Sequence, residues 1–244
     1  MFKFMLKIYI IYLILVAFLP TLLGRIFHYN VIYKSKRNFP CVSITFDDGP
    51  DPLYTPILLS LLDKYKIKAC FFLLADKVEK YPELSKKIVE SGHEIGVHGY
   101  KHHINWFLGP KATYNEFIKS IEVIKNITGK YPSYYRPPWG LFTLFVYRSA
   151  KKLNMKIVLW SYMSWDWKVK NPDIIVKNIL KKIKSGQILI FHDSSTNIAS
   201  DKKAPGVMIK ALEDIIKGIQ EKNIKIVDIN QFIFTKGDFN EKYI

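Results

Sequence analysis

Cysteine is almost absent from this chain of 244 residues, which contains only Cys41 and Cys70. Neither belongs to a CxxC pair, so the sequence gives no basis for a disulfide framework or a cysteine-based zinc site. Each lies in an apolar run, which predicts two buried free thiols, although adjacent strands could bring the two together. Internal repeats and low-complexity segments are also lacking, and a globally disordered protein is not expected.

Acidic residues are scarce, with 21 against 37 basic residues and a formal net charge of +16. Such an excess favours anionic partners: nucleic acid, lipid head groups or an anionic cell wall. The lysines are scattered along the whole chain, however, which is also typical of a solvated surface. No nucleic-acid-binding motif accompanies the charge, so we do not expect a nucleic-acid partner.

The N-terminus carries an uncharged apolar run from Ile8 to Gly24, preceded by Lys3 and Lys7. As a helix, this run would span about 26 Å, close to the hydrocarbon thickness of a bilayer. We predict a membrane anchor over residues 1–25 that crosses once, with the rest of the chain outside the cell. A cleaved signal peptide and a buried core helix are the alternatives. Basic residues beyond the run leave the orientation open.

Apolar runs of strand length alternate with amphipathic segments after Pro40. The predicted strands lie near 41–46, 68–74, 94–97, 133–135, 156–160, 187–191 and 224–228. The predicted helices lie near 55–65, 82–91, 112–127, 142–153, 172–184 and 207–221. This alternation predicts a parallel sheet with right-handed crossovers, closed into an α/β barrel. We therefore expect a linker over 26–40, one barrel domain over 41–235 and a loose tail over 236–244.

Polar and aromatic side chains follow five of these strands at the point where each strand ends. They are Asp47 and Asp48, His98 and His102, Arg136 and Trp139, Asp166 and Trp167, and His192 and Asp193. In α/β barrels the carboxyl end of the strands carries the active site. Agreement between five separate segments predicts a single functional site at that end.

Two adjacent carboxylates and two spaced imidazoles form a candidate metal-binding set. Asp47 and Asp48 have diverging side chains, so one can bind a cation while the other faces substrate. His98 and His102 can converge on one ion, with His103 as a less favoured second register. Each pair alone is also compatible with a turn or a structural role. Together, Asp48, His98 and His102 suit Zn²⁺, Co²⁺, Mn²⁺, Ni²⁺ or Fe²⁺. Fe(II) oxygenases use the same ligand types in a different spacing, so hydrolysis is a better inference than oxygenation.

Three further segments carry candidate site residues. Segment 135–140, YRPPWG, is stiffened by two prolines and offers an arginine for a carboxylate and a tryptophan face for a sugar. Segment 160–167 holds three tryptophans after a strand, which indicates a ligand wall. His192 ends a buried strand; a lone histidine there is usually structural, but in this company it is a candidate general acid.

The motifs resemble, in order, those of the NodB-homology polysaccharide deacetylases, carbohydrate esterase family 4, over roughly residues 41–228. They are TFDDG at 45–49, HxxxH at 98–102, RPPWG at 136–140, DW at 166–167 and IFH at 190–192. The resemblance implies a deformed (β/α)7 barrel, here preceded by the transmembrane helix. It also implies a polysaccharide N-deacetylase, a hydrolase that removes N-acetyl groups from an extracellular glycan.

Peptidoglycan is the expected substrate, through its N-acetylglucosamine or N-acetylmuramic acid units. Chitooligosaccharides are the alternative substrate, and a non-catalytic glycan-binding homologue is the alternative function. We expect a monomer that holds one divalent metal ion, zinc first, with cobalt, manganese or nickel as alternatives.

The resemblance also implies roles for individual residues. Asp48, His98 and His102 would bind the metal ion. Asp47 would be the general base that deprotonates the attacking water, oriented by Arg136. His192 would protonate the leaving amine, tuned by Asp166.

The same resemblance implies a substrate pocket. The Trp139 backbone N–H would complete the oxyanion site, with Pro138 beside it. Ile190 and Trp167 would surround the acetyl methyl group.

Two positions depart from the family pattern. Gly99 stands where a serine or threonine usually follows the first metal-binding histidine, which removes a loop hydrogen bond. Met163 stands where the fourth motif commonly has its first aspartate, so Arg136 is expected to lack one partner.

Overall fold

The computed structural model describes residues 2–35, 39–104, 106–195 and 201–233. The helices are α1 (Phe2–Leu13), α2 (Leu19–Phe27), α3 (Tyr54–Lys64), α4 (Ala75–Lys80), α5 (Pro82–Glu90), α6 (Pro110–Thr128), α7 (Leu144–Lys152), α8 (Pro172–Lys182), α9 (Ala204–Glu221) and α10 (Ile229–Ile233). The strands are β1 (Val31–Ile32), β2 (Cys41–Asp47), β3 (Cys70–Leu73), β4 (Glu94–Val97), β5 (Tyr134–Tyr135), β6 (Lys156–Val158), β7 (Tyr162–Met163), β8 (Gln187–His192) and β9 (Lys225–Ile226). The tail predicted over 236–244 lies outside the described residues.

The strands form one sheet in the order β1–β6–β5–β4–β3–β2–β8–β7, with β9 paired to the start of β2. Each of these strand pairs is parallel. The sheet curls, because only residues 159–161 separate β6, near one end of this order, from β7 at the other end. The prediction of a deformed parallel barrel is thereby confirmed, in the form of a curled half-barrel covered by helices.

Strand β2 is the centre of the core, and all seven of its residues are buried. Strands β3 and β8 flank it, and the register places Asp47 opposite Phe72 on one side and His192 on the other. A parallel strand covered on both faces favours apolar residues, and CVSITF supplies them at four of its six positions, with Ser43 and Thr45 as buried polar exceptions. The strand ends therefore bring the acidic end of β2 level with the histidine of β8.

Local sequence signals set several helix boundaries. Helix α8 begins at Pro172, and the Asn171 side chain accepts a hydrogen bond from the Asp173 amide over 2.8 Å. Proline at the first position has no amide hydrogen to satisfy, and asparagine caps the next one. Helix α6 ends at Thr128 and is capped by Gly129, whose φ of 73° is the left-handed conformation that glycine adopts without cost.

The N-terminal helices, joined by a π-helical turn at Ile14–Phe18, form a candidate membrane span over Phe4–Phe27. Its mean hydropathy is 2.3 and 12% of it is buried, so by length and composition it can cross a bilayer. Its end packs on the domain: the Thr21 hydroxyl accepts from the Phe142 amide over 2.8 Å. The Arg25 guanidinium donates to the Trp160 carbonyl over 3.3 Å.

The range predicted as a linker, 26–40, contributes a strand. Val31 and Ile32 pair with Ile157 and Val158 of β6 and so extend the sheet. Only residues 28–30 separate α2 from this strand. Cys41 and Cys70 are both buried, as the apolar runs around them predict.

Candidate active site

The carboxylate of Asp48 lies between two imidazoles at the carboxyl end of the sheet. Its Oδ1 is 3.3 Å from His98 Nε2 and 3.6 Å from His102 Nε2. The three potential ligand atoms lie within 4.8 Å of one another. Asp48 has φ of 73°, a left-handed conformation that residues other than glycine seldom adopt. The sequence prediction that these three residues converge on one point is therefore met by the geometry.

The chemistry of this group fits a divalent metal ion. Asp48 Oδ1 is buried and has no hydrogen-bond partner among the residues that the structure describes. His98 Nδ1 lies 2.8 Å from the Arg136 carbonyl and must donate to it, which leaves the Nε2 lone pair directed at Asp48. Ligand atoms at about 2.0–2.1 Å from a tetrahedral zinc ion are roughly 3.3 Å apart, close to the spacing observed.

Electrostatics keep Asp48 ionised. Burial raises the pKa of its carboxyl group, but the interaction with His98 and the neighbouring imidazoles outweighs burial, and the pKa is well below its usual value. Burial lowers the pKa of His102, so its imidazole is neutral at pH 7. An ionised carboxylate and neutral imidazoles are the forms that bind a metal.

Asp47 is held by a buried arginine. Its Oδ1 accepts a hydrogen bond of 2.6 Å from Arg136 Nη1, which also donates to the Thr45 hydroxyl over 2.8 Å. Arg136 is fully buried, donates through Nε to the Val158 carbonyl and lies 4.0 Å from the centre of the Phe72 ring. Its Nη2 has no partner within the described part of the chain. This agrees with the expectation that Arg136 lacks one hydrogen-bond partner because Met163 stands in place of an aspartate.

His192 is held by a buried carboxylate. Its Nδ1 is 3.0 Å from Asp166 Oδ1, and its backbone amide donates to Asp166 Oδ2 over 2.7 Å. The Ser164 hydroxyl also donates to this carboxylate. Burial lowers the pKa of His192, but the negative charge and hydrogen bond of Asp166 outweigh burial and raise the pKa to about 9. His192 is therefore an imidazolium at pH 7 with Nε2–H as its free donor.

A cavity opens beside these groups. Its lining residues are Asp47, His98, His102, Trp139, Trp160, Met163, Trp167, Ile190 and His192. Seven of these are site residues predicted from the sequence. The other predicted residues, Asp48, Arg136, Asp166 and Pro138, are buried behind the cavity wall.

The loop that carries Trp139 is shaped by backbone conformation. Trp139 has φ of 65° and its ring is 51% exposed, edge-on to His102 with 5.1 Å between ring centres. The next residue, Gly140, has φ of 71°, and a Cβ there would lie 2.3 Å from the Trp160 ring. Glycine at 140 therefore lets Trp160 close the wall behind Trp139.

Gly99, the first departure from the family pattern, has a physical reason. Its φ is 102°, and a Cβ would lie 3.0 Å from the Lys101 carbonyl oxygen. A side chain would be strained in this conformation. The loop is held instead from α6, because the Tyr100 backbone donates a hydrogen bond to the Glu116 carboxylate.

Three residues of the site lie outside the predicted set. Thr45 shares a face of β2 with Asp47, and the two-residue period of a strand is the signal that could have identified it. Trp160 belongs to the tryptophan-rich segment, whose resemblance to the family points to Trp167 alone. Met163 departs from the family pattern, and it lines the cavity.

Fold and site together define a class of protein. It is an amide-bond hydrolase built on a curled parallel half-barrel, with an Asp-His-His group that can hold a metal ion. A family model described as polysaccharide deacetylase matches residues 34–158. The chain belongs to the polysaccharide deacetylase family, whose named relatives are amide-hydrolysing deacetylases.

Sequence relatives and solved structures support this membership. The chain is 30% identical to a peptidoglycan-N-acetylglucosamine deacetylase of Bacillus cereus, over 83% of this chain and 92% of the relative. It is 28% identical to a chitooligosaccharide deacetylase of a Bradyrhizobium species, over 82% of this chain and 96% of the relative. The crystal structure of a peptidoglycan N-acetylglucosamine deacetylase in complex with 4-naphthalen-1-yl-N-oxidanyl-benzamide superposes with a TM-score of 0.78 and 30% identity, over 86% of this chain and 95% of that chain.

Proposed function

We propose that this chain is a metal-dependent deacetylase of an extracellular glycan, with peptidoglycan as its substrate. One observation carries the proposal: the buried Oδ1 of Asp48, without a partner in the described ranges, faces two imidazole nitrogens at 3.3 and 3.6 Å. Burying an ionised carboxylate in such an environment costs free energy of folding unless a cation binds to it.

The proposed metal ligands are Asp48, His98 and His102, and zinc is the proposed ion, with cobalt, manganese or nickel as alternatives. Two nitrogen ligands and one oxygen ligand with open positions are typical of catalytic zinc. When bound, such an ion lowers the pKa of water to about 7 in favourable cases and polarises a carbonyl group.

Asp47 is the proposed general base. Arg136 Nη1 holds its Oδ1, and Asp47 Oδ2 lies 3.9 Å from His98 Nε2, at the edge of the proposed metal site. Asp47 takes a proton from the water whose oxygen forms a bond to the acetamide carbonyl carbon. Asp47 keeps this proton during the first step, in which the water oxygen adds to the carbonyl carbon and the C–N bond is still intact.

His192 is the proposed general acid. Its Nε2–H is free because Asp166 accepts from Nδ1, and it donates a proton to the nitrogen as the C–N bond breaks. Acetic acid and an amine leave, the acid then loses its proton to solvent, and exchange with solvent deprotonates Asp47 and protonates His192 for the next turnover. The Trp139 backbone N–H, with Pro138 behind it, is proposed to stabilise the carbonyl oxygen, while Ile190 and Trp167 enclose the acetyl methyl group.

Peptidoglycan is favoured over chitin oligosaccharides by the name of the Bacillus cereus relative and the matching solved structure. Chitooligosaccharide remains the second candidate, since the Bradyrhizobium relative carries that name. A non-catalytic glycan-binding role is disfavoured, because binding alone requires neither Asp47 beside Arg136 nor His192 beside Asp166.

The decisive experiment measures acetate release by the full chain in detergent, supplied with Zn²⁺ or Co²⁺. We expect release from peptidoglycan, at a higher kcat/KM than from N-acetylglucosamine oligomers. A higher value on the oligomers would select the chitooligosaccharide alternative. No release from any glycan, with metal bound at full occupancy, would refute the deacetylase proposal.

The location is proposed to be the cell membrane, with one crossing by the N-terminal helix and the catalytic domain outside. The support is the apolar span Phe4–Phe27, together with a wall-glycan substrate. Membrane fractionation followed by N-terminal sequencing tests it. An intact N-terminus in the membrane fraction is expected, whereas a shortened protein in the medium would show a cleaved signal peptide.

A further inference from the structure

A second polar cluster lies behind the carboxylate of Asp48, outside the set of residues that line the cavity. Its members are Lys77, Ser194, Asp51, Thr55 and Asp193. They come from α4, from the two residues that follow β8, from the loop between β2 and α3, and from the first turn of α3. The proposed catalytic steps use none of them.

Lys77 makes the central contact of this cluster. Its ammonium group donates to the Asp48 backbone carbonyl over 2.8 Å and to the Ser194 hydroxyl over 2.5 Å. Asp48 has a left-handed φ, which an aspartate maintains only when its surroundings hold it. The hydrogen bond from Lys77 holds the backbone carbonyl of Asp48 itself, and this restrains the direction of the Asp48 side chain.

Hydrogen bonds continue the contact from Ser194 to Asp193. The Ser194 hydroxyl donates to Asp51 Oδ2 over 3.2 Å, and the Asp51 amide donates to the Thr55 hydroxyl over 2.8 Å. The Thr55 hydroxyl donates to Asp193 Oδ2 over 2.6 Å. The chain of bonds therefore ties the end of β8 to the loop that follows β2.

Asp193 holds the residue after Asp48 from the other side. Asp193 is fully buried, and a Cβ placed on Gly49 would lie 2.5 Å from both of its carboxylate oxygens. The Gly49 backbone therefore rests directly against this carboxylate. Asp48 is thus restrained at its own carbonyl by Lys77 and at the next residue by Asp193.

Helix α4 also supports the loop that carries the two histidines. The amides of Ala75 and Asp76 donate to the carbonyls of Gly99 and Tyr100 over 3.1 and 2.9 Å. One short helix therefore contacts both ligand-bearing loops, through its backbone on one side and through Lys77 on the other.

We propose that Lys77 is a positioning residue that sets the Asp48 carboxylate toward His98 and His102 for metal binding. This inference rests on the proposed function, since it assumes that Asp48 is a metal ligand. Lys77 acts through the backbone of Asp48 and does not touch substrate.

The test compares metal affinity in the full chain in detergent, by titrating Zn²⁺ against a competing chelator. Lys77→Met should raise the Kd for Zn²⁺ about 10- to 100-fold, the usual cost of losing a group that orients a ligand. Lys80→Met is the matched control, since it makes the same change at an exposed position of the same helix, and its Kd should equal that of the wild type. Lys77→Arg, which keeps the charge and the donors, should recover most of the affinity.

The absorption spectrum of the Co²⁺-loaded protein at saturating metal provides a second readout that a general loss of stability would not move. We expect the Lys77→Met bands to shift relative to those of Lys80→Met. If Lys77→Met binds Zn²⁺ within twofold of the wild type, the assignment of Lys77 is wrong while the metal site stands. If the wild type binds no metal, the proposed metal centre fails and the assignment falls with it.

Should Lys77→Met not fold, Ser194→Ala replaces it. That variant removes the second acceptor of Lys77, and losing one such bond should weaken Zn²⁺ binding about two- to tenfold. An unchanged Kd would again overturn the assignment.

Discussion

Two ion pairs flank the proposed metal site, and they are built in opposite senses. On the β5 side, a buried arginine supports a carboxylate that faces the cavity, with 2.6 Å between Arg136 Nη1 and Asp47 Oδ1. On the β8 side, a buried carboxylate supports an imidazole that faces the cavity, with 3.0 Å between Asp166 Oδ1 and His192 Nδ1. In each pair, the partner behind the cavity wall has the charge that favours the catalytically useful protonation state of the partner that faces the cavity.

The difference between the pairs assigns their chemistry. An arginine cannot lose its proton in this pH range, so Arg136 presents a permanent positive charge to a group that must accept a proton. Asp166 presents a negative charge to a group that must donate one, and the pKa of His192 rises to about 9. Two titratable groups a short distance apart are thereby prepared for base and acid roles at one pH.

The largest change should come from removing the base itself. Asp47→Asn keeps the shape and the contact with Arg136 but cannot accept a proton from water. We expect kcat for acetate release to fall by about 10³- to 10⁴-fold, with the Kd for Zn²⁺ within a few-fold of the wild type. If metal binding is lost as well, the division of roles between Asp47 and Asp48 is wrong.

Removing Arg136, the fully buried member of the same pair, should lower the stability of the fold. Arg136→Met leaves the Asp47 carboxylate buried without its partner, at a cost of about 3–5 kcal/mol in the free energy of unfolding. Chemical denaturation measures this value, and Arg148→Met, an exposed arginine on α7, is the control. A loss under 1 kcal/mol would show that the pair is not stabilising in the way its burial indicates.

Loss of His192, the cavity-facing member of the opposite pair, should reduce activity less than loss of Asp47. His192→Asn removes the proton donor, and kcat should fall about 10²- to 10³-fold, since water can replace it poorly. His103→Asn is the matched control, and it should leave kcat unchanged because His103 is exposed and outside the set that converges on Asp48. An equal loss in the control would favour the alternative histidine register.

The smallest effect should follow from Asp166→Asn, and it should depend on pH. Without the Asp166 charge, the pKa of His192 falls from about 9 to its ordinary value of about 6.5 or below. The protonated fraction, and with it kcat, then drops about 30-fold at pH 8 but less than about twofold at pH 6. In the pH–rate profile, the activity of the wild type should fall as pH rises through about 9. If the profile of the Asp166→Asn variant is not shifted to lower pH, Asp166 does not control the proton donor.

The same pKa predicts a pH dependence of stability. Because the pKa of His192 is higher in the folded chain than in the unfolded one, protonation stabilises the fold fully below pH 6.5. That contribution is lost as pH rises from 6.5 through about 9. Thermal denaturation at pH 6 and pH 9.5 should show this loss in the wild type and a smaller one in Asp166→Asn.

All seven predicted strands have counterparts in the structure, and most of them are apolar runs bounded by polar residues. The strands that the sequence did not predict, β1 and β7, contain two residues each and lie in the predicted linker and in the tryptophan-rich segment after β6. The unpredicted helices α4 and α10 are similarly short, with six and five residues. Short elements form because their neighbours provide partners, and that information is not local.

The site divides in the same way. Asp48, His98 and His102 could be predicted because their residue types and spacing are tied to metal chemistry. Lys77 could not, since lysines are scattered along the chain and its contact with Asp48 depends on α4 folding back over the end of β2. A strained backbone conformation, such as that of Asp48, is likewise invisible until the fold is known.

Only residues 28–30 join α2 to the first strand, and this connection limits the reach of the enzyme. Fully extended, three residues span about 10–11 Å, and a domain of this size is about 43 Å across. If α1 and α2 cross the membrane as proposed, every acetamide that the site can reach lies within about 55 Å of the bilayer. The enzyme would then edit glycan strands as they emerge at the membrane surface, and the outer layers of a thick wall would stay acetylated.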